Sequence, residues 1–209
     1  MDFISKYFPQ LPLETREKLL SLEPVYSRWN SMINVISRKD MENFMEHHVL
    51  HSLAIAWAFS FRAGQKILDV GTGGGFPGIP LAIVFPEAHF SLLDSTGKKI
   101  KVVNAVADEL GIKNVTTLNK RAETEEGKYD FITARAVTEF TEFVKLTSKN
   151  LSGRGKTIDE SGIIYLKGGD ISGETGKYSD KVKIWNIKDF FQEPFFETKK
   201  IIWLPASFL

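Results

Sequence analysis

Hydrophobic and polar residues alternate along this chain in two rhythms, and the change falls near residue 63. Before it the period is helical. Leu19, Leu22, Val25, Tyr26 and Trp29 recur three or four apart, with Pro24 interrupting a single continuous helix. A second helical run is predicted over 41–61, with Phe44, His48, His51, Ile55 and Ala58 at helical intervals. Core packing accounts for both faces. The pattern therefore divides the chain into an N-terminal helical extension, 1–62, and a second domain, 63–209.

Beyond Ala63-Gly64 short apolar runs take over. Strands are predicted over 66–70, 90–93, 115–118, 129–134 and 162–167. Helical stretches separate them: one opening near Pro77 and ending at Pro86, one over 98–110 capped by Gly111, and one over 138–151. Strands alternating with helices imply a doubly wound parallel sheet. Two further runs, 181–187 (KVKIWNI) and 198–204 (TKKIIWL), lie close together and read as an antiparallel pair closing that sheet. Segments 152–161 and 168–180 are polar and glycine-rich, and read as mobile loops.

Composition narrows the chemistry. The 209 residues, 43% hydrophobic and 25% charged, suit a globular chain with a sizeable core. No run approaches the ~20 consecutive apolar residues of a membrane span, and the N-terminus lacks a signal-peptide core, so a cytoplasmic location with no membrane partner is expected. The absence of cysteine excludes disulfides, thiolate metal sites and cysteine nucleophiles. With 27 basic against 26 acidic side chains the formal charge is +1. Any nucleic-acid partner must then be recognised by a local patch or by shape.

The strongest local signal is Asp69-Val-Gly-Thr-Gly-Gly-Gly-Phe-Pro-Gly78, between a strand and a helix. Its five glycines, at 71, 73, 74, 75 and 78, exceed what a plain turn requires. A helix N-terminus beyond them adds unpaired N–H groups. Gly73-x-Gly75-x-x-Gly78 satisfies the dinucleotide fingerprint, and Asp94 stands where a ribose-binding acid belongs, so an NAD-dependent oxidoreductase is one reading. The same loop, read from Asp69 as Asp-x-Gly-x-Gly-x-Gly, resembles motif I of S-adenosylmethionine-dependent methyltransferases. The antiparallel C-terminal pair suits that sheet better, and little chain remains for a dehydrogenase's second domain. His47, His48 and His51 cluster with no further ligand motif, and read as core or RNA-contacting residues with no metal site. Lys98, Lys99 and Lys101 read as a solvated helix face.

The likeness extends beyond the loop. Asp69 to Ala82, Leu-Leu-Asp-Ser (92–95), Arg-Ala-Glu (121–123), Thr-Ala-Arg-Ala-Val (133–137), and upstream Trp29-Asn30, Asn34 to Arg38 and His48 to Ser52 resemble the RsmG/GidB family. These are bacterial methyltransferases acting on a guanine N7 of 16S ribosomal RNA. The resemblance implies a Rossmann-like class I methyltransferase fold with a mostly parallel seven-stranded sheet. It implies S-adenosyl-L-methionine as cofactor and 16S ribosomal RNA or the small ribosomal subunit as partner; a monomer is expected. Carried onto matching positions, it implies that Gly71, Phe76, Asp94, Ala122, Glu123 and Arg135 bind the cofactor. Gly71 and Phe76 line the first loop, Asp94 meets the ribose, and Ala122 and Glu123 the adenine end. Arg135 lies near the methionine end or the incoming base and is the candidate catalytic residue. A non-catalytic RNA-binding or assembly factor is the remaining alternative. The family's compact Lys-Pro-Gly-Gly turn near the fifth strand is replaced here by the longer 152–161.

Overall fold

The computed structural model describes residues 2–153, 161–171 and 173–209. Seven strands form one sheet: β1 (Lys66–Val70), β2 (His89–Asp94), β3 (Val115–Asn119), β4 (Phe131–Arg135), β5 (Gly162–Gly168), β6 (Lys183–Asn186) and β7 (Lys199–Pro205), in the order β3-β2-β1-β4-β5-β7-β6. The first five are parallel, with Ile67 level with Phe90 and Phe131. β7 runs antiparallel between β5 and β6, pairing Ile164 with Trp203 and Ile184 with Ile202. This is the doubly wound sheet with an antiparallel closing pair that the chain pattern predicts.

Period-two alternation gives the sheet two apolar faces. Ile67, Phe90, Leu92, Phe131, Ile164 and Trp203 lie on one face. They pack against α6 (Gly78–Val84), α7 (Gly97–Glu109) and the N-terminal helices. Leu68, Leu93, Ile132, Ile163 and Tyr165 lie on the other, under Phe140, Phe143 and Val144 of α8 (Phe140–Thr147). Segment 168–180 contributes Ile171 and Tyr178 to that second cluster, so its described part is anchored by buried side chains and departs from the expected mobile loop. Of the other expected loop, 154–160 lie outside the described residues.

The N-terminal region differs from the expectation in two places. The first helical run breaks at Ser21 into α2 (Leu13–Leu20) and α3 (Leu22–Met32), after a short α1 (Phe3–Tyr7). Pro24 thus falls in the first turn of α3, where its missing N–H costs no intrahelical bond. The second run is not one helix over 41–61. It consists of α4 (Arg38–Met41), a π-helical turn over Met45–Leu50, and α5 (His51–Ala58). Spacing of apolar residues cannot distinguish a π turn from an α turn over six residues, so the break was invisible in the pattern. Among the described residues no helix is long and apolar enough to cross a membrane.

Candidate functional site

The C-terminal ends of β1, β2 and β4 open onto a cavity of about 420 Å³. Ligands in open α/β sheets bind at this edge. Its wall begins with Gly71, which follows β1 with φ +68°. A Cβ there would sit 2.7 Å from Cγ2 of Val137, across the cavity mouth, so only glycine lets the two walls approach this closely. The loop after Gly71 is pinned from below by Asp69. Its Oδ2 accepts from the Thr72 hydroxyl (2.6 Å) and the Gly78 N–H (2.9 Å), and its Oδ1 from the Thr133 hydroxyl (3.3 Å). Burial pushes the Asp69 carboxyl up to about 7, against the pull of those three donors. Gly78 is required by contact: a Cβ would stand 2.1 Å from Leu92 Cδ2. The loop is also held by α3, whose buried Tyr26 donates its hydroxyl to the Gly74 carbonyl.

Asp94 closes β2 and lines the same cavity. Its Oδ2 accepts from the Gly73 N–H (3.0 Å) and its Oδ1 from the Thr96 N–H (2.8 Å). Lys99 Nζ lies 3.5 Å from Oδ2, so one lysine of the trio expected on a solvated face turns to the cavity. Ala122 and Glu123, in a short 3₁₀ turn after β3, complete the far wall with Lys120 and Arg121. Gly71, Asp94, Ala122, Glu123 and Arg135 thus converge on one cavity. Phe76 does not line it. Its ring is buried against Tyr26 (5.0 Å between centroids), Phe44 (5.7 Å) and His48 (5.1 Å).

Arg135 ends β4 and stands between two hollows. Its Nη1 donates to the His47 carbonyl and its Nη2 to His48 Nδ1, both at 2.9 Å, and the guanidinium lies 5.5 Å from the Phe76 ring centroid. A guanidinium has no acceptor, so Nδ1 of His48 carries the lone pair and Nε2 the proton. Burial, helped by the Arg135 charge, pushes His48 down to about 3, in keeping with a neutral ring. His51 is buried and also held well below its ordinary range, first by desolvation. Beyond Arg135 a second cleft of about 210 Å³ is lined by Asp40, His47, His48 and His51, and by Phe195 and Lys199. Arg135 and Ala136 border both hollows. Ala136 adopts φ +49°, an unusual angle for alanine that turns the chain sharply after β4. Among the described residues no three His, Asp or Glu side chains are grouped to hold a metal ion.

Several of these residues carried no signal in the sequence. Tyr26 read as core, while Asp40, just before the second helical run, and Phe195, between the last two strand runs, were not singled out. Only the fold brings Asp40 and Phe195, far apart in the chain, to Arg135. Ala136 has no turn-forming side chain to betray its backbone angle.

Five parallel strands closed by an inserted antiparallel β7, with a glycine-walled cavity at the strand ends, form the Rossmann-like fold of class I methyltransferases. A methyltransferase crystal structure from Aquifex aeolicus, described as SAM dependent, shares this fold: TM-score 0.56, 14% identity, 81% of this chain and 99% of that one covered. Residues 15–192 match the GidB family, described as rRNA small subunit methyltransferase G. Ribosomal RNA small subunit methyltransferase G of Bacteroides thetaiotaomicron is 49% identical over 203 residues, covering 97% of this chain and 98% of its own. The protein of the same name from Christiangramia forsetii is 48% identical over 208 residues, covering 100% and 98%. The chain belongs to the GidB family.

Proposed function

We propose that the protein transfers the methyl group of S-adenosyl-L-methionine to N7 of a guanine in 16S ribosomal RNA, with the RNA or the small ribosomal subunit as partner. The observation that carries this reading is the convergence of Gly71, Asp94, Ala122, Glu123 and Arg135 on one cavity in a chain of this family. The residues present fit the cofactor. Glycine at 71 leaves the backbone bare at the cavity wall, where a Cβ would fill the gap to Val137. Each Asp94 oxygen accepts one backbone N–H and retains a lone pair suited to ribose hydroxyls. Ala122 and Glu123 form the adenine end. Phe76 acts from behind, packed under Arg135.

When bound, S-adenosylmethionine supplies an electrophilic methyl on a sulfonium. Guanine N7 presents a free in-plane lone pair, so no proton has to be removed before attack. The chain's task is alignment, which lowers a barrier by ~7–11 kcal/mol in favourable cases. Arg135, at the junction of the two hollows, is the group placed to orient the incoming base. No side chain is required as a general base, and the neutral His48, half-buried, and His51, buried, are poor candidates for one.

The test is methyl transfer to 16S RNA from a strain lacking the gene, with the modified base mapped. Thermal shifts with S-adenosylhomocysteine and with NAD accompany it. A single N7-methylguanine and stabilisation by S-adenosylhomocysteine alone are expected. Stabilisation by NAD alone, or binding without methylation of any RNA or subunit, would overturn the reading.

A further inference from the structure

The second cleft touches the cofactor cavity at Arg135 and Ala136. Whatever sits in it lies beside the larger cavity's contents. One wall is flat and aromatic: the His47 ring stacks on Phe195 with centroids 3.9 Å apart and planes 16° from parallel. Lys199 Nζ stands 4.5 Å over the same Phe195 ring. Asp40 lines the same cleft next to His47, with 48% of its side chain exposed. Ser37 donates to its Oδ2 (2.8 Å), and His47 Nδ1 lies 3.3 Å from Oδ1. Hydrogen bonding from Ser37 above all holds this carboxyl below its ordinary range, so it is ionised at neutral pH with lone pairs to spare.

These groups complement one base. Guanine carries N–H donors at N1 and N2 side by side, and acceptors at O6 and N7 on the edge beyond them. A carboxylate accepts from both donors. Arg135 spends two of its five N–H groups on His47 and His48, which leaves three for an acceptor such as O6. A base taken out of the RNA stack and held this way turns N7 towards the boundary between the hollows.

We propose that this cleft receives the target guanine, with Asp40 accepting from N1–H and N2–H and Arg135 donating to O6, which makes Asp40 a specificity-determining residue. The proposal rests on the methyl-transfer reading above.

The experiment compares 16S RNA bearing guanosine at the mapped position with the same RNA bearing inosine, which lacks only the N2 amino group. Methyl transfer is measured for the wild type, Asp40→Ala and Asp40→Asn. The wild type should favour guanosine by about tenfold in kcat/KM, the discrimination of one charge-assisted hydrogen bond. In both variants the ratio should fall towards one, with guanosine transfer reduced at least tenfold. S-adenosylhomocysteine affinity and Tm should stay close to the wild type, because Asp40 lies outside the cofactor cavity. An unchanged guanosine-to-inosine ratio in the variants, no preference in the wild type, or loss of S-adenosylhomocysteine binding in both variants would overturn the proposal. A wild-type enzyme that binds S-adenosylhomocysteine yet methylates no guanosine would instead sink the underlying reading.

Discussion

Arg135 joins chemistry to architecture in one side chain. The sequence places it at the ligand edge of a strand, and an arginine between alanines there is already unusual. What the sequence hides is its double attachment to His47 and His48, 87–88 residues upstream. Burial pushes its guanidinium down only to about 10, so it stays charged at neutral pH. Arg135→Lys keeps the charge but cannot serve both acceptors and still face a ligand. Methyl transfer per folded molecule should fall at least tenfold, with S-adenosylhomocysteine affinity changed less than threefold. Urea unfolding should show a loss of about 1–3 kcal/mol, because a buried acceptor goes unmet. Turnover that declines only in step with the unfolded fraction would leave Arg135 a purely structural tie. Gly71 and Asp94 were easier to read, since they stand at the ends of strands that the hydrophobic pattern locates; Ala122 and Glu123 were placed by the family resemblance alone. The direction of the Phe76 ring was not legible: it is fixed by Tyr26 and Phe44, which no local rule connects to the glycine loop.

Among the elements, the π-helical turn over Met45–Leu50 does most to shape the site, and it was the least legible. π turns are rare and cluster near functional sites. This one presents the His47 carbonyl and His48 Nδ1 together to Arg135. It also sets a pH dependence. Because folding lowers the His48 pKa from its ordinary 6.5 to about 3, the unfolded chain binds more protons between those values. The associated stability is complete above pH 6.5 and is lost as pH falls; His51 acts in the same direction. Asp69 acts oppositely: its raised value, about 7, means stability is lost as pH rises from about 4 through 7. The histidine contribution is therefore read as a difference between the wild type and His48→Gln, which keeps an acceptor for Arg135. Between pH 7.5 and 5 the wild type should lose about 1–2 kcal/mol more than the variant in urea titrations. Parallel curves would mean that folding leaves the His48 pKa unshifted. Neither histidine changes charge between pH 6.5 and 8.5, so the single-turnover pH profile of His48→Gln should keep the shape of the wild-type profile there.

For the molecule as a whole, the strand pattern gave the sheet and the change of rhythm at residue 63, but not the way the two parts share an interior. Tyr26, Phe44, Leu50, Leu53 and Ile55 belong to the same buried cluster as Ile79, Phe90, Ile164 and Trp203. Periodicity reports which face of a helix is apolar, not which partner covers it. We propose that 1–62 and 63–209 form one folding unit. The full chain should then melt in a single transition, with far-UV dichroism and tryptophan fluorescence coincident. Residues 63–209 alone, with this apolar face uncovered, should show no cooperative unfolding. Two separated transitions in the full chain would make the N-terminal helices an independent unit.

The wall shared by the two hollows also sets a rule for inhibitor design. A compound confined to the larger cavity meets a glycine loop and a strand-end acid, features common to nucleotide-binding folds. A compound that continues past Arg135 meets Asp40, His47 and Phe195, a surface assembled from α4, the N-terminal π turn and a turn just before the last strand. Selectivity is to be sought on that side. The most economical scaffold joins an adenosine to a second purine by a linker short enough to round a single arginine side chain.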